Sequence, residues 1–211
     1  MGYASYAIAI GSNRPLSARL SPAVIVRRAM AALNAAPLRL RALSPVMSSP
    51  PMGPSARIFA NAAVVVETIL PPPALLRHLK ALERHFGRSA GRRWGARTLD
   101  LDIILWSGGR WRSRSLTIPH PAWRKRDFVL TPLAAIAPDW RDPWGGLSVR
   151  HLHARLARAR PCTGTHAKHP CRPSKGPYKG LTALPSFPSG SRIRHRAGPL
   201  AQSVEQLTFN Q

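Results

Sequence analysis

The chain has 211 residues, 44% of them hydrophobic, which suits one compact domain and a remainder. Its apolar runs are too short to cross a bilayer, and its first residues lack the order of a signal peptide, so we expect a cytoplasmic protein without a membrane partner. The formal charge of +24 allows two interpretations, a nucleic-acid-binding surface or a site for a small polyphosphate. Because the 23 Arg before residue 161 are spread along the chain, we favour the second interpretation. We also expect a monomer.

The first half of the chain predicts two strands around one helix, then further strands. Residues 3–10 predict a strand and Gly11 to Asn13 a turn. Ser21-Pro22 is typical of a helix start, and apolar residues recur from there to Leu33. Alternation of apolar and basic residues predicts a half-buried strand over 38–42, and the Pro/Gly content of 49–54 predicts a loop. The valine-rich segment 62–70 predicts a buried strand.

The second half begins with a helix that Pro71 to Pro73 open and Gly87 closes, with leucines at helical spacing between them. A basic loop follows over 88–97, and then a strand over 99–106. The remaining elements are predicted in chain order as a strand through Trp111 and Leu116 after a Gly108-Gly109 turn, a loop over 119–121, and helices over 128–135 and 149–159.

This order of elements predicts an α+β fold. It is typical of a ferredoxin-like α/β sandwich, in which we expect an antiparallel-rich sheet with helices packed on one face. We assign this domain to residues 1–160. Residues 161–211 are rich in Pro, Gly and basic residues and are predicted to be disordered. Because residues 198–207 resemble a translated transfer-RNA gene, we hypothesise that this tail is a frameshift or read-through product.

The most informative pair of residues is Asp100 and Asp102. Side chains alternate along a strand, so both carboxylates are predicted to share one face while the intervening leucine faces the core. Paired carboxylates beside a cluster of arginines suit a magnesium-bound polyphosphate, whereas the plain alternative is a surface strand with two solvated acids. The sequence holds no Gly-x-x-x-x-Gly-Lys-Ser/Thr loop, so a P-loop mechanism is excluded.

The segment from Trp94 to Ile103 is similar to the signature of the hydroxymethyl-dihydropterin pyrophosphokinase family. The similarity continues, in the family's order, through residues 7–13, 49–54, 59–63 and 116–120. The resemblance implies transfer of pyrophosphate from ATP to 6-hydroxymethyl-7,8-dihydropterin, which gives AMP and the pterin diphosphate in tetrahydrofolate biosynthesis. It also implies that two Mg²⁺ ions accompany the bound ATP.

The resemblance further implies roles for individual residues. The catalytic residues would be Arg88, Arg97, Asp100 and Asp102, of which the two aspartates would also hold the metal. The ATP-binding residues would be Arg88, Arg97, Thr117, His120 and Arg126. The pterin-binding residues would be Ser49, Pro50, Met52, Phe59, Asn61, Asp100 and Phe128, and Trp94 would lie in a lid loop.

Plainer interpretations remain open for several of these residues. Phe59 and Phe128 could be core aromatics, and His120 a loop residue with a satisfied ring. Asn61 could cap a turn, and Glu83 could be a solvated residue on the polar face of its helix, to which we assign no role. The sequence departs from the family's pattern at Ala90, Ser115 and Pro121, which leaves kinetic competence open. The alternative functions are a basic nucleic-acid-binding module and a defective pseudoenzyme.

Overall fold

The computed structural model describes residues 2–50, 57–87 and 98–159. The strands are β1 (Ala4–Ser12), β2 (Arg39–Leu43), β3 (Met47–Ser49), β4 (Phe59–Thr68), β5 (Asp100–Trp106), β6 (Trp111–Arg112) and β7 (Thr117–Ile118). The helices are α1 (Pro22–Ala32), α2 (Pro72–His85), α3 (Asp127–Ile136) and α4 (Val149–Arg158), with a 3₁₀ turn at Trp123–Lys125. None of these helices is long and apolar enough to cross a membrane.

The main sheet confirms the predicted fold class. Its strands lie in the order β2-β4-β1-β5, with β3 added to β4, and every pairing is antiparallel. The chain runs β1-α1-β2, then β4-α2-β5, so each helix connects two strands that are separated by one other strand. This split arrangement is the ferredoxin-like pattern.

The helices occupy both faces of the sheet, and our expectation of helices on one face is wrong. On one face, Ile8 and Ile10 of β1 pack with Ile25 of α1 and Leu75 of α2, and we call this the first core. On the other face, residues of β1 and β4 pack with α3 and α4 in the second core, which includes Ala7, Ala63, Val129, Leu130, Leu133 and Leu152. The physical reason is visible in β4, where five consecutive residues from Ala60 to Val64 are buried, so both faces of that strand must be covered.

Helix α2 shows how sequence and packing agree. Pro71 precedes the helix and Pro72 occupies a first-turn position, where a missing N–H costs nothing. Leu75 and Leu79 are fully buried in the first core, and each such burial contributes about 1.5–3 kcal/mol. Gly87 follows the helix with φ of 74°, a left-handed conformation that glycine adopts without a steric penalty. The predicted helix and its glycine stop are therefore both confirmed.

Three local predictions differ from the structure. Gly11 and Ser12 continue strand β1, opposite Asn61 and Ala60, because β4 is long enough to pair with them, so the turn predicted there is wrong. Ser49, the first residue of the loop predicted over 49–54, lies instead in β3 and pairs with Phe59. The single strand through Trp111 and Leu116 is instead the hairpin of β6 and β7, which turns where the Ser113 N–H donates to the carbonyl oxygen of Leu116. The predictions for residues 161–211 lie outside the described residues.

Candidate active site

Strand β5 presents its two aspartates on one side. Leu101 and Ile103 are buried in the first core, so Asp100 and Asp102, at the alternate positions, point to the other side of the sheet. Both aspartates are half-buried, whereas Leu101 between them is fully buried. The alternation read from the sequence therefore holds in the structure, and a short length of backbone presents two oxygen-rich groups together.

The neighbouring strands extend this face across the sheet. Asp100 lies opposite Gly11 of β1, and Gly11 lies opposite Asn61 of β4, so the three residues form one cross-strand row. Asp102 lies opposite Ala9, whose small side chain packs toward the second core. Because glycine and alanine occupy the middle strand, no side chain larger than a methyl group stands between the β5 carboxylates and the β4 amide on this face.

The amide of Asn61 is held in a defined orientation. Asn61 is 4% exposed, and its Nδ2 atom donates a hydrogen bond of 2.7 Å to the Oγ atom of Ser49. A Cβ atom added at Gly11 would lie 3.4 Å from the Oδ1 atom of Asn61, so the β1 backbone closes over the other end of the amide. An asparagine carries one acceptor oxygen and two N–H donors, so one N–H and the oxygen have capacity beyond the bond to Ser49.

Two aromatic residues border this face. Phe59 shares its side of β4 with Asn61 and pairs with Ser49 across the sheet. Phe128 is the second residue of α3, which packs over β4, and is partly buried against the second core. The guanidinium carbon of Arg126 lies 5.7 Å from the centre of the Phe128 ring. The structure thus places both phenylalanines on the side of the sheet that carries the aspartates, and their stacking on a ligand remains a prediction.

His120 is electrostatically coupled to the aspartates. Burial lowers the pKa of His120, the Asp102 carboxylate opposes this shift, the Arg126 guanidinium adds to it, and Asp100 opposes it. The Nδ1 atom accepts a 3.3 Å hydrogen bond from the N–H of Ala122, so the neutral ring carries its proton on Nε2. The backbone N–H of His120 donates to the carbonyl oxygen of Ile104 at 3.1 Å, which attaches the loop to β5.

A buried ion pair, which the sequence analysis missed, supports the segment that follows His120. Asp142 is 3% exposed and accepts two hydrogen bonds from Arg124, of 2.7 Å from Nε and 2.6 Å from Nη2. Burial alone would raise the pKa of Asp142, but the Arg124 hydrogen bond and the N–H groups of Trp144 and Gly145 outweigh it and hold that pKa below its usual value. The pair anchors the 3₁₀ turn that connects His120 to α3, and the residues lie 18 positions apart, which no local pattern reveals.

The other predicted site residues divide into two groups. Thr117 is exposed on the β6–β7 hairpin, which is a separate small sheet, and Pro50 is exposed just after β3. Four predicted residues lie outside the described residues, and their assignment remains a prediction: Met52, Arg88, Trp94 and Arg97. Within the described ranges, no group of three or more His, Cys, Asp or Glu side chains could hold a metal ion.

Glu83 is the residue that the sequence analysis left without a role. It lies on α2 and is 1% exposed, so the alternative of a solvated polar-face residue is wrong. Its Oε1 atom accepts hydrogen bonds from the Leu101 N–H at 2.8 Å and from the Lys80 Nζ atom at 2.7 Å. The sequence signal for a role of Glu83 is that it is an acidic residue among many basic ones. Helical spacing does not indicate that its partner is the backbone of a strand.

Solved structures share this fold. A crystal structure of Plasmodium falciparum HPPK-DHPS wild type with pteroate matches with a TM-score of 0.58 at 12% identity, over 74% of this chain and 43% of that chain. At this identity the likeness establishes the fold alone.

Sequence relatives identify the class. A protein of Pseudomonas aeruginosa named 2-amino-4-hydroxy-6-hydroxymethyldihydropteridine pyrophosphokinase is 40% identical over 152 residues, which cover 71% of this chain and 88% of that protein. A Synechocystis protein of the same name is 46% identical over 100 residues, which cover 47% of this chain and 51%, about half, of that protein. Both relatives are named as pyrophosphokinases, which are enzymes of the diphosphotransferase class. Residues 7–138 match the family model, and the chain belongs to the 7,8-dihydro-6-hydroxymethylpterin-pyrophosphokinase (HPPK) family.

Proposed function

We propose that this chain transfers the β,γ-pyrophosphoryl group of ATP to the hydroxymethyl group of 6-hydroxymethyl-7,8-dihydropterin, giving AMP and the pterin diphosphate for folate biosynthesis. The observation that carries the proposal is the row of Asp100, Gly11 and Asn61, which joins a carboxylate to an amide across one sheet face. The reaction would take place in the cytoplasm, on a monomeric enzyme.

The two aspartates supply the donors that a magnesium site requires. Mg²⁺ prefers hard oxygen ligands and typically binds through one or two carboxylates together with substrate phosphates and water. Asp100 and Asp102 fit this description, because both are carboxylates, both are half-buried, and both lie on the same side of β5. When bound, two Mg²⁺ ions would neutralise the charge of the triphosphate and of the departing AMP.

The pterin would lie over β1 and β4. The amide of Asn61 is oriented by Ser49 and can pair with the donor and acceptor edge of a pterin ring. Phe59 and Phe128 would cover the faces of the ring, since planar aromatic ligands pack well against phenylalanine. Pro50 and Met52 would complete this end of the site, and Asp100 would bring the metal to the pterin hydroxymethyl group.

ATP would lie toward the loop that carries His120. A neutral imidazole with its proton on Nε2 can donate a hydrogen bond to a phosphate oxygen without adding a charge. Arg126, which lies within electrostatic range of His120, can pair with phosphate oxygens through its planar donors. Arg88, Arg97 and Thr117 would add further contacts to the nucleotide, and Trp94 would lie in the loop that covers it.

Catalysis then depends mainly on positioning. The pterin hydroxyl must approach the β-phosphorus in line with the AMP oxygen that leaves, and the residues named above would fix the two substrates for this approach. The hydroxyl proton passes to solvent water as the hydroxyl oxygen bonds to the β-phosphorus. The bond from the β-phosphorus to the AMP oxygen breaks, and AMP departs with its electron pair.

The test is AMP formation by the purified chain from ATP, Mg²⁺ and 6-hydroxymethyl-7,8-dihydropterin, compared between Asp102→Asn and Asp139→Asn. Asp102→Asn removes one metal-binding charge and should lower kcat/KM at least about 100-fold, which corresponds to roughly 3 kcal/mol of transition-state stabilisation. Asp139 is a highly exposed aspartate paired with Arg150, so its substitution should leave activity within about twofold. Equal activity of the two variants, with both folded, would refute the metal assignment.

A further inference from the structure

Strand β5 ends the order of the main sheet among the described strands, so its outer side has no strand partner there. Leu101 is paired with Ile10 of β1, yet both its N–H and its carbonyl oxygen are bonded on the outer side, to side chains of α2. The N–H donates to the Oε1 atom of Glu83 at 2.8 Å, and the carbonyl oxygen accepts from the Nζ atom of Lys80 at 3.4 Å. An acceptor and a donor from one helix thus take the place of a neighbouring strand.

The two side chains are themselves paired. The Lys80 ammonium lies 2.7 Å from the same Glu83 oxygen, three positions along the helix. The Glu83 side chain is 1% exposed and that of Lys80 is 35% exposed, so the carboxylate is buried and the ammonium reaches toward solvent. A buried carboxylate that binds both an N–H and an ammonium group is held firmly, because loss of either bond would leave a desolvated charge with one partner fewer.

The position of this contact relates it to the candidate active site. Leu101 is the residue between Asp100 and Asp102, and fixing its peptide groups fixes the directions in which both neighbouring carboxylates leave the strand. We propose that Glu83, with Lys80, is a positioning residue that holds the β5 backbone so that Asp100 and Asp102 can bind a divalent cation together. This inference rests on the proposed function, because it assumes that the two aspartates bind the metal.

Metal affinity, rather than turnover alone, is the discriminating readout. The full chain would be titrated with Mn²⁺ in the presence of the non-cleavable analogue α,β-methylene-ATP, with water-proton relaxation reporting bound Mn²⁺. Glu83→Met keeps the length of the side chain and removes its oxygens, and should weaken Mn²⁺ binding about 10- to 100-fold, the usual effect of losing a residue that orients metal ligands. Glu83→Gln retains an oxygen that can accept from the Leu101 N–H, and should restore most of the affinity.

Leu79→Ala is the matched control, because Leu79 is fully buried on the same helix and its apolar side chain cannot hydrogen-bond the Leu101 backbone. It should lower the Tm while leaving the Mn²⁺ affinity of the folded protein unchanged. Should Glu83→Met not fold, Glu83→Asp keeps the charge beside Lys80 with a side chain too short to span both bonds, and weakened Mn²⁺ binding is expected there too.

The outcomes separate the two proposals. The positioning role alone is overturned if the wild-type chain binds Mn²⁺ with the analogue and a folded Glu83→Met or Glu83→Asp variant binds it with unchanged affinity. A wild-type chain that binds no Mn²⁺ with the analogue overturns the proposed metal site and this inference with it. Loss of affinity in Leu79→Ala equal to that in Glu83→Met would reduce the effect to general destabilisation and would also overturn the inference.

Discussion

The ion pair of Arg124 and Asp142 leads to a quantitative prediction about stability. In Asp142→Asn, the amide can offer one oxygen to Arg124 but turns an N–H₂ group toward the second guanidinium donor, so one charge-assisted bond is lost and the other is weakened. Breaking a buried pair costs about 3–5 kcal/mol. Because the Arg124 side chain is 34% exposed, water can solvate the unpaired guanidinium, and we reduce the expected loss to about 2–3 kcal/mol.

Urea unfolding of wild type, Asp142→Asn and Asp139→Asn would measure this loss. Asp139 also pairs with an arginine, Arg150, but its side chain is 78% exposed, so the same chemical change should cost less than about 1 kcal/mol. For a protein of this size, the Asp142→Asn loss corresponds to a Tm lower by about 5–10 °C. The reasoning is refuted if Asp142→Asn is no less stable than Asp139→Asn.

The pKa of Asp142 gives the same prediction a pH dependence. Its value in the folded chain lies below the ordinary 3.8, because the bonds from Arg124 and two backbone N–H groups outweigh the effect of burial. The unfolded chain therefore takes up this proton first as the pH falls. The stabilisation is present above the ordinary pKa and disappears as the pH falls through the lower, folded-state value. The difference in stability between wild type and Asp142→Asn should accordingly shrink in strong acid.

Two further predictions concern the candidate active site. Burial lowers the pKa of His120 below 6.5, so in the absence of nucleotide the unfolded chain binds more protons than the folded chain just below that pH, and the free energy of unfolding falls as the pH decreases. His120→Gln should flatten this part of the plot of unfolding free energy against pH, measured by urea unfolding. An unchanged slope would contradict the buried, neutral state of the ring. Ser49→Ala removes the hydrogen-bond partner of the Asn61 amide and should weaken pterin binding about fivefold, as measured by titration calorimetry. Ser48 is exposed on the same strand, so Ser48→Ala should leave the affinity unchanged. Equal affinities of the two variants would show that Asn61 needs no support from Ser49.

Local patterns were sufficient for several features that depend on neighbours in sequence, although they missed the hairpin of β6 and β7. The alternation around Leu101 placed Asp100 and Asp102 on one face, and the prolines and Gly87 bounded α2. The order of strands and helices then led to the fold class, because a split arrangement of two β-α-β units has few antiparallel solutions.

The remaining features depend on contacts between distant residues. Gly11 and Ser12 are residue types typical of a turn, but β4 is long enough to pair with them, so they extend β1. The second core requires α3 to return across β4, with α4 packed against α3, and the helical pattern does not indicate which face of the sheet they cover. Glu83 shows the limit most clearly, since its partner is a backbone N–H, a group that every residue except proline carries.

The bonds of α2 to Leu101 also affect what can associate with the sheet. A terminal strand with free N–H and carbonyl groups is a template on which another extended chain can assemble. At Leu101 both groups are already engaged by a carboxylate and an ammonium, so an incoming chain would have to displace a buried charge before it could form its first bond at that point. The contact that steadies the aspartates thereby also discourages aggregation through this part of β5.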